Sequence, residues 1–195
     1  MHGATLSFCP ERQRVRGEPM IECPGCRLRL PDQHLDPPDR FNASGECWRA
    51  YSDLQCFTVS KRDPEFTHQH AVDAYAAQHA GGPARNIAVA FGLIGLYLAL
   101  EQGYTGRQVQ LAHMRIARAR KEWPRLGPPA RPADLTVMDV LSAGTDAERD
   151  AMIRRWMEEV WEAWADRQGW VRATTDELLW SSKERRPRAV KGEER

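Results

Sequence analysis

Residues 86–100 contain no charged side chain, and this run restricts the folds open to the chain more than any other feature. Its apolar residues occur at every helical phase rather than on one side, which is typical of a helix surrounded by protein. The run is shorter than the roughly 20 residues that a membrane-spanning helix needs. We therefore expect it to form the central helix of a core, with other helices packed around it.

The segments around this run carry helix start and stop signals. Ser44 and Thr105 are good N-caps, Thr145 opens a capping-box sequence with Glu148, and the Gly81-Gly82 pair ends a helix. β-Branched residues are scattered rather than alternating, so no strand is predicted. Predicted helices cover residues 45–54, 64–80, 84–102, 106–122, 137–143, 146–168 and 176–180. The predicted fold class is all-α, a helical bundle with a loop-rich N-terminal zinc-knuckle segment.

Length and composition fit one globular domain. The 195 residues suffice for one sizeable core, and 42% hydrophobic with 28% charged residues is typical of folded proteins. We expect a single helical domain over residues 20–180, a disordered extension over 1–19 and a disordered basic tail over 181–195. The formal net charge of +1 gives no overall attraction to nucleic acid or to an anionic membrane, so neither is an expected partner. A protein or a small molecule is the expected partner.

The first 20 residues mix charged side chains with no apolar run, which is unlike a secretory signal. The expected location is therefore the cytoplasm. Cysteines there are more often metal ligands, reactive thiols or buried packing residues than disulfides. The chain has five cysteines, and an odd number does not suit a complete disulfide framework.

The sequence Cys23-Pro24-Gly25-Cys26 predicts a tight turn that directs two sulfur atoms at one point. Zinc requires this geometry, because its thiolate ligands must approach a common centre. A redox-active pair would usually lie at a helix N-terminus after a strand, whereas residues 27–31 are typical of a short extended segment. Zinc is the leading interpretation; a redox pair and a turn without cofactor are the alternatives.

A tetrahedral zinc site needs two further ligands, and the first predicted helix offers Cys47. Cys56 lies nine residues later, so the two side chains point to opposite sides of a continuous helix. We therefore interpret Cys56 as a small buried packing residue.

The fourth ligand is expected on the second predicted helix, which carries three histidines. His68 and His79 share a face but are separated by about 16 Å along the helix, so one ion cannot bind both. His68 is nearer the start of the helix and is preferred, with His70 as the second choice. The predicted zinc ligands are Cys23, Cys26, Cys47 and His68.

Two hypotheses for function follow from this pattern. The first is a zinc-binding helical protein in which the metal is structural and the domain acts as a binding or regulatory module. The alternative is a metal-dependent enzyme that uses an open zinc position or the face formed by Asp73 and His79. The sequence contains no nucleophile elbow, phosphate-binding glycine loop or His-Glu-x-x-His pattern, so no catalytic residue is assigned.

Several short stretches together resemble one family. They are Cys23-Pro24-Gly25-Cys26 with Leu30-Pro31, Cys47-Trp48, Val-Asp-Ala-Tyr-Ala-Ala-Gln-His at residues 72–79, and residues 135–140 and 160–164. This pattern resembles a bacterial family known as domain of unknown function 5946, over roughly residues 20–172. The resemblance implies a domain that starts near Met20, and it implies no reaction, because the family has no established activity.

The chain departs from the family pattern at three positions. Arg27 stands where a glycine usually follows the second cysteine, and Ala80 stands where the family tends to have proline. Gly92 occupies a position that is histidine in many members. A function that depended on that histidine would be absent from this chain.

Overall fold

The computed structural model describes residues 19–180, in which a short hairpin precedes seven α-helices. The antiparallel strands are β1 (Met20–Glu22) and β2 (Arg29–Pro31). The helices are α1 (Gly45–Ser60), α2 (His68–Gln78), α3 (Asn86–Leu100), α4 (Gly106–Ala119), α5 (Val137–Leu141), α6 (Asp146–Ala163) and α7 (Gln168–Leu179), with a 3-10 turn at Ala165–Arg167. The all-α prediction is confirmed. The predicted extension and tail lie outside the described residues, apart from Pro19.

The uncharged run becomes α3, and the prediction of a central helix is confirmed. The side chains of Leu93, Ile94 and Leu96 have no exposed surface. Helices α2, α4, α6 and α7 all pack against α3, so most of its apolar residues are buried, whereas Ile87 in its first turn is exposed. Of the helices that the structure describes, none combines the length and the apolar character needed to cross a membrane.

Two glycines on α3 allow α2 to approach it closely. A Cβ atom at Gly92 would lie 2.7 Å from the Asp73 carbonyl oxygen and 2.9 Å from the Ala77 nitrogen, both backbone atoms of α2. A Cβ atom at Gly95 would overlap the Asp73 carboxylate. At position 92 this chain has no space for a side chain unless the two helices separate.

Side-chain caps set several helix starts, as predicted. The Ser44 hydroxyl accepts a hydrogen bond from the Cys47 amide at 3.2 Å. Thr105 with Gln108, and Thr145 with Glu148, form reciprocal capping boxes that satisfy amides of the first helical turn. The cap at Ser44 matters for the site below, because it fixes the turn that carries Cys47.

The start of α2 differs from the prediction. The helix begins at His68 rather than at residue 64. The Asp63 carboxylate accepts hydrogen bonds from the amides of Glu65 and Thr67, both at 2.9 Å, and so holds residues 63–67 in a turn. This local competition by an aspartate side chain outweighs the preference of Pro64 for a first helical position.

The hairpin and the last helix also differ from the prediction. Each strand is only three residues long, which is too short for an alternating pattern to be recognised. The predicted long helix over 146–168 ends at Ala163, and α7 begins at Gln168 rather than at residue 176. The 3-10 turn at Ala165–Arg167 separates the two helices.

Candidate metal centre

The Cys23–Cys26 turn connects β1 to β2 and is closed by backbone hydrogen bonds. The Arg27 amide donates to the Cys23 carbonyl at 2.9 Å, and the Cys23 amide donates to the Leu28 carbonyl at 2.8 Å. Arg27 adopts φ 62°, in the left-handed region that favours glycine. We refer to this hairpin, residues 20–31, as the knuckle.

Cys47 reaches the knuckle from the first turn of α1. The cap at Ser44 starts the helix three residues earlier and therefore fixes the direction of the Cys47 side chain. Glu46 ties the segment after the knuckle to the same turn, because its Oε1 accepts from the Gln33 and Leu35 amides at 3.1 and 3.2 Å. The sulfur of Cys26 lies 3.7 Å from that of Cys47.

His79 reaches the knuckle from the C-terminal end of α2, where it is the C-cap residue. Its Nδ1 lies 2.9 Å from the Tyr75 carbonyl oxygen. A carbonyl can only accept, so Nδ1 carries the proton, and Nε2 is the atom directed at the cysteines, 3.4 Å from the Cys47 sulfur. Two tryptophans of α6 hold this end of α2: Trp156 donates to the Gln78 side chain and Trp164 to the Ala77 carbonyl, at 3.0 and 3.2 Å.

Three cysteines and one histidine therefore meet at one point. Their ligand atoms all lie within 4.8 Å of one another, and the four side chains are at most 5% exposed. Two sulfurs bound to one tetrahedral zinc would be separated by about 3.8 Å, and a sulfur and an imidazole nitrogen by about 3.6 Å. The observed separations of 3.7 and 3.4 Å match these values. The residues Cys23, Cys26, Cys47 and His79 form a group that can hold a metal ion.

The pKa values of the group also favour a bound cation. Hydrogen bonds from Cys26 and Cys47 lower the pKa of the Cys23 thiol, despite its burial. Burial alone would lower the pKa of His79, but the combined hydrogen bonds and charges of Cys23 and Cys26 raise it to about 9. The cluster thus stabilises positive charge at its centre. Without a metal, a proton on His79 supplies that charge; a bound metal ion would replace the proton.

Tyr75 packs over the site and contacts two of its members. Its ring stacks on His79 with a centroid separation of 3.8 Å, and its hydroxyl donates to the Cys47 sulfur at 3.7 Å. Tyr51 stacks on the other face of the Tyr75 ring at 3.7 Å. These rings exclude water and fix the plane of the imidazole, a role that residues around metal ligands commonly have.

His79 takes the place of the predicted His68 in the candidate ligand set. The Nδ1 atom of His68 lies 2.8 Å from the Thr58 hydroxyl, at the opposite end of α2 from the cysteines. His70, the second choice, is not a member of the group of four either. His68 begins α2 and His79 ends it, and the end of α2 is the part that lies beside the knuckle.

One sequence signal pointed to His79. It closes the block of residues 72–79 that carries the family resemblance, whereas His68 lies outside that block. The interpretation of Cys56 also needs correction, because the structure exposes its thiol instead of burying it. It does separate Cys56 from the cluster, as helix phase predicted.

The face formed by Asp73 and His79, on which the enzyme hypothesis depends, is not accessible to solvent. Asp73 is 2% exposed and His79 has no exposed surface. Asp73 lies at the α2–α3 interface, where Gln69 Nε2 donates to its Oδ1 at 3.0 Å. Burial raises the pKa of Asp73 well above its ordinary value, which favours the neutral form, and the carboxyl packs against Gly95.

Fold and site together define the class of protein: an all-α domain whose N-terminal hairpin joins two helices around a buried group of three cysteines and one histidine. The chain belongs to a family of unknown function, DUF5946, whose family model matches residues 21–165. The matched region contains all four residues of the group. Neither the curated proteins nor the solved structures contain a match to this chain.

Proposed function

We propose that this protein is a zinc-stabilised cytoplasmic domain that acts as a binding or regulatory module, with a structural metal held by Cys23, Cys26, Cys47 and His79. The observation that carries the proposal is the convergence of these four ligand atoms within 4.8 Å of one another in a buried site. Reducing conditions in the cytoplasm would keep the thiols available as ligands.

The donor set favours zinc among the common metals. Three thiolates and one imidazole are soft to borderline ligands, which suit zinc and are unsuited to magnesium or calcium. The separations of 3.7 Å between the Cys26 and Cys47 sulfurs and 3.4 Å between the Cys47 sulfur and His79 Nε2 fit tetrahedral coordination. The Nδ1–H of His79 is held by the Tyr75 carbonyl, and this hydrogen bond orients the ring and leaves Nε2 free to bind.

Burial and ligand number support a structural role. Four protein donors complete a tetrahedral zinc shell, whereas catalytic zinc keeps one position for water or substrate. The ion would join three segments that are distant in sequence: the knuckle, the start of α1 and the end of α2. A hairpin with two three-residue strands has little stability of its own, so a metal bridge would fasten it to the helices.

Metal analysis of the purified protein tests this proposal. We expect one zinc per chain, and unfolding at a lower temperature after removal of zinc with a chelator. The His79→Ala variant should lose stoichiometric zinc, because a ligand is removed from a closed shell. The matched control is His68→Ala on the same helix, which should keep zinc because His68 contacts Thr58 instead.

Two results would contradict the proposal. Loss of zinc from His68→Ala with retention in His79→Ala would reverse the ligand assignment. A purified wild-type protein that neither contains zinc nor gains thermal stability when zinc is added would remove the metal altogether. Zinc with an exchangeable water ligand, detected by cobalt substitution and absorption spectroscopy, would favour the enzyme alternative.

A further inference from the structure

A cleft of about 440 Å³ lies beside the knuckle, between residues 26–29 and residues 131–139, a loop that leads into α5. This volume is within the range of small-molecule sites. Cys26, a member of the candidate metal centre, forms part of its wall. The cleft is therefore next to the metal centre but is a separate space, because Cys23, Cys47 and His79 do not line it.

Three arginines line this cleft: Arg27 and Arg29 from the knuckle and Arg131 from the facing loop. All three are exposed. Within residues 19–180, none of their guanidinium groups takes part in an ion pair. Guanidinium groups bind carboxylates and phosphates through paired hydrogen bonds, so three unpaired ones around one cleft favour an oxyanion.

Two aspartates also line the cleft, and they differ in availability. Asp139 is engaged: its Oδ2 accepts from the amide and the hydroxyl of Thr136, both at 2.8 Å. Asp134 is exposed, and its carboxylate can accept a hydrogen bond from a hydroxyl or amine group. A fitting ligand would therefore carry one oxyanion group and at least one hydrogen-bond donor.

Arginines outnumber acidic residues only on the knuckle side of the loop. A second cleft, of about 450 Å³, shares residues 131–134 as a wall but is completed by Glu159 and Glu162 of α6. Oxyanions would be repelled from that second cleft. The contrast between two neighbouring spaces of similar size argues that the cationic lining is a property of the first cleft and not of the surface in general.

The metal centre would organise the cationic wall. Arg27 directly follows Cys26 and holds φ 62°, a conformation maintained by the turn that brings Cys23 and Cys26 together. Arg29 is paired with Glu22 in the register of the hairpin. Fixing both cysteines on one ion would therefore hold both arginines in place relative to Arg131.

We propose that this cleft binds a small molecule that carries a phosphate or carboxylate group together with a hydroxyl or amine donor, with Arg27, Arg29 and Arg131 holding the oxyanion. The inference rests on the proposed function as a binding module and names the ligand class. The oxyanion lies among the guanidinium groups, and the donor group lies against Asp134.

An NMR titration of the zinc-loaded full-length protein tests the proposal. The signals of the arginine Nε–H groups would be followed at low ionic strength with glycerol 3-phosphate, lactate, glycerol and inorganic phosphate as probes. We expect saturable shifts with glycerol 3-phosphate or with lactate, and which of the two binds tells phosphate from carboxylate. Glycerol should give no shift, and inorganic phosphate should bind more weakly than glycerol 3-phosphate.

Variants locate the binding. Arg27→Gln and Arg131→Gln should each weaken it by about tenfold, because each removes a charge-assisted contact. The control is Arg118→Gln, which removes an exposed arginine on α4 that does not line the cleft. Its affinity should equal that of the wild type.

Three results would overturn the inference. The first is that neither organic anion binds saturably. The second is that Arg118→Gln weakens binding as much as Arg27→Gln and Arg131→Gln do. The third is that inorganic phosphate binds as tightly as glycerol 3-phosphate, which would indicate an adventitious ion only. Zinc content is measured on the same sample. If the protein holds one zinc per chain but binds neither anion, this inference alone is contradicted. If the protein binds an anion but holds no zinc, the metal assignment alone is contradicted.

Discussion

Gly25, between the two knuckle cysteines, packs directly against the histidine end of the site. A Cβ atom at this position would lie 2.4 Å from the Asn42 carbonyl oxygen and 2.7 Å from Cδ2 of His79. Both neighbours are fixed, because the Asn42 amide donates to the His79 carbonyl at 3.0 Å and the imidazole is stacked on Tyr75. The change Gly25→Ala must therefore push the knuckle away from α2.

The size of the effect follows from these distances. The contact with Asn42 must lengthen by at least 0.6 Å to reach the 3.0 Å below which such contacts are essentially never found. Metal–ligand distances tolerate deviations of only about 0.2 Å. We therefore expect Gly25→Ala to weaken zinc binding by about 10- to 100-fold, as changes around metal ligands commonly do, which corresponds to about 1.4–2.7 kcal/mol.

Competition with a chromophoric zinc chelator measures this affinity, and circular dichroism confirms that the variant is folded. The control is Gly169→Ala on α7, where no atom lies within 4 Å of the added Cβ. That change should leave zinc affinity unaltered and raise the free energy of unfolding by at most about 1 kcal/mol, because alanine favours helix more than glycine does. A folded Gly25→Ala protein with wild-type zinc affinity would refute the reasoning.

Two further predictions concern the helical core. Burial lowers the pKa of His113 to about 4, against a weaker opposing hydrogen bond to the Phe91 backbone, so the folded state holds this side chain neutral. The contribution of neutral His113 to the free energy of unfolding is present above the unfolded pKa and is lost as pH falls from about 6.5 to 4. In urea titrations over that range, the wild type should lose about 3 kcal/mol of unfolding free energy relative to His113→Leu. The change Gly92→Ala should destabilise the protein by about 1–3 kcal/mol, because the added Cβ meets the α2 backbone. This cost outweighs the better helix propensity of alanine. A variant as stable as Gly169→Ala would show that α2 and α3 can separate at little cost.

Local sequence determined the central helix, the helix caps and the cysteine turn, because each depends on residues close together in the chain. The uncharged run over 86–100 could only be a buried helix, and it is. Ser44, Thr105 and Thr145 cap the helices that follow them, because a hydroxyl satisfies amides two or three positions away. The Cys-Pro-Gly-Cys turn likewise brings two sulfurs together through hydrogen bonds within six residues.

The tertiary structure decided which distant residues complete the site. His68 and His79 are equivalent by helix phase, and only the packing of α2 against α3 and α6 places the His79 end beside the knuckle. The tertiary structure also leaves Cys56 exposed and brings Arg131 and Arg27 to the same cleft. His79 and Arg131 are tens of residues from the knuckle in sequence, so no local pattern specifies how far from it they lie. The burial of Trp156, Trp164 and the α3 face fixes those distances. The sequence alone supplied three candidate ligands, Cys23, Cys26 and Cys47, and the fold selected the fourth, His79.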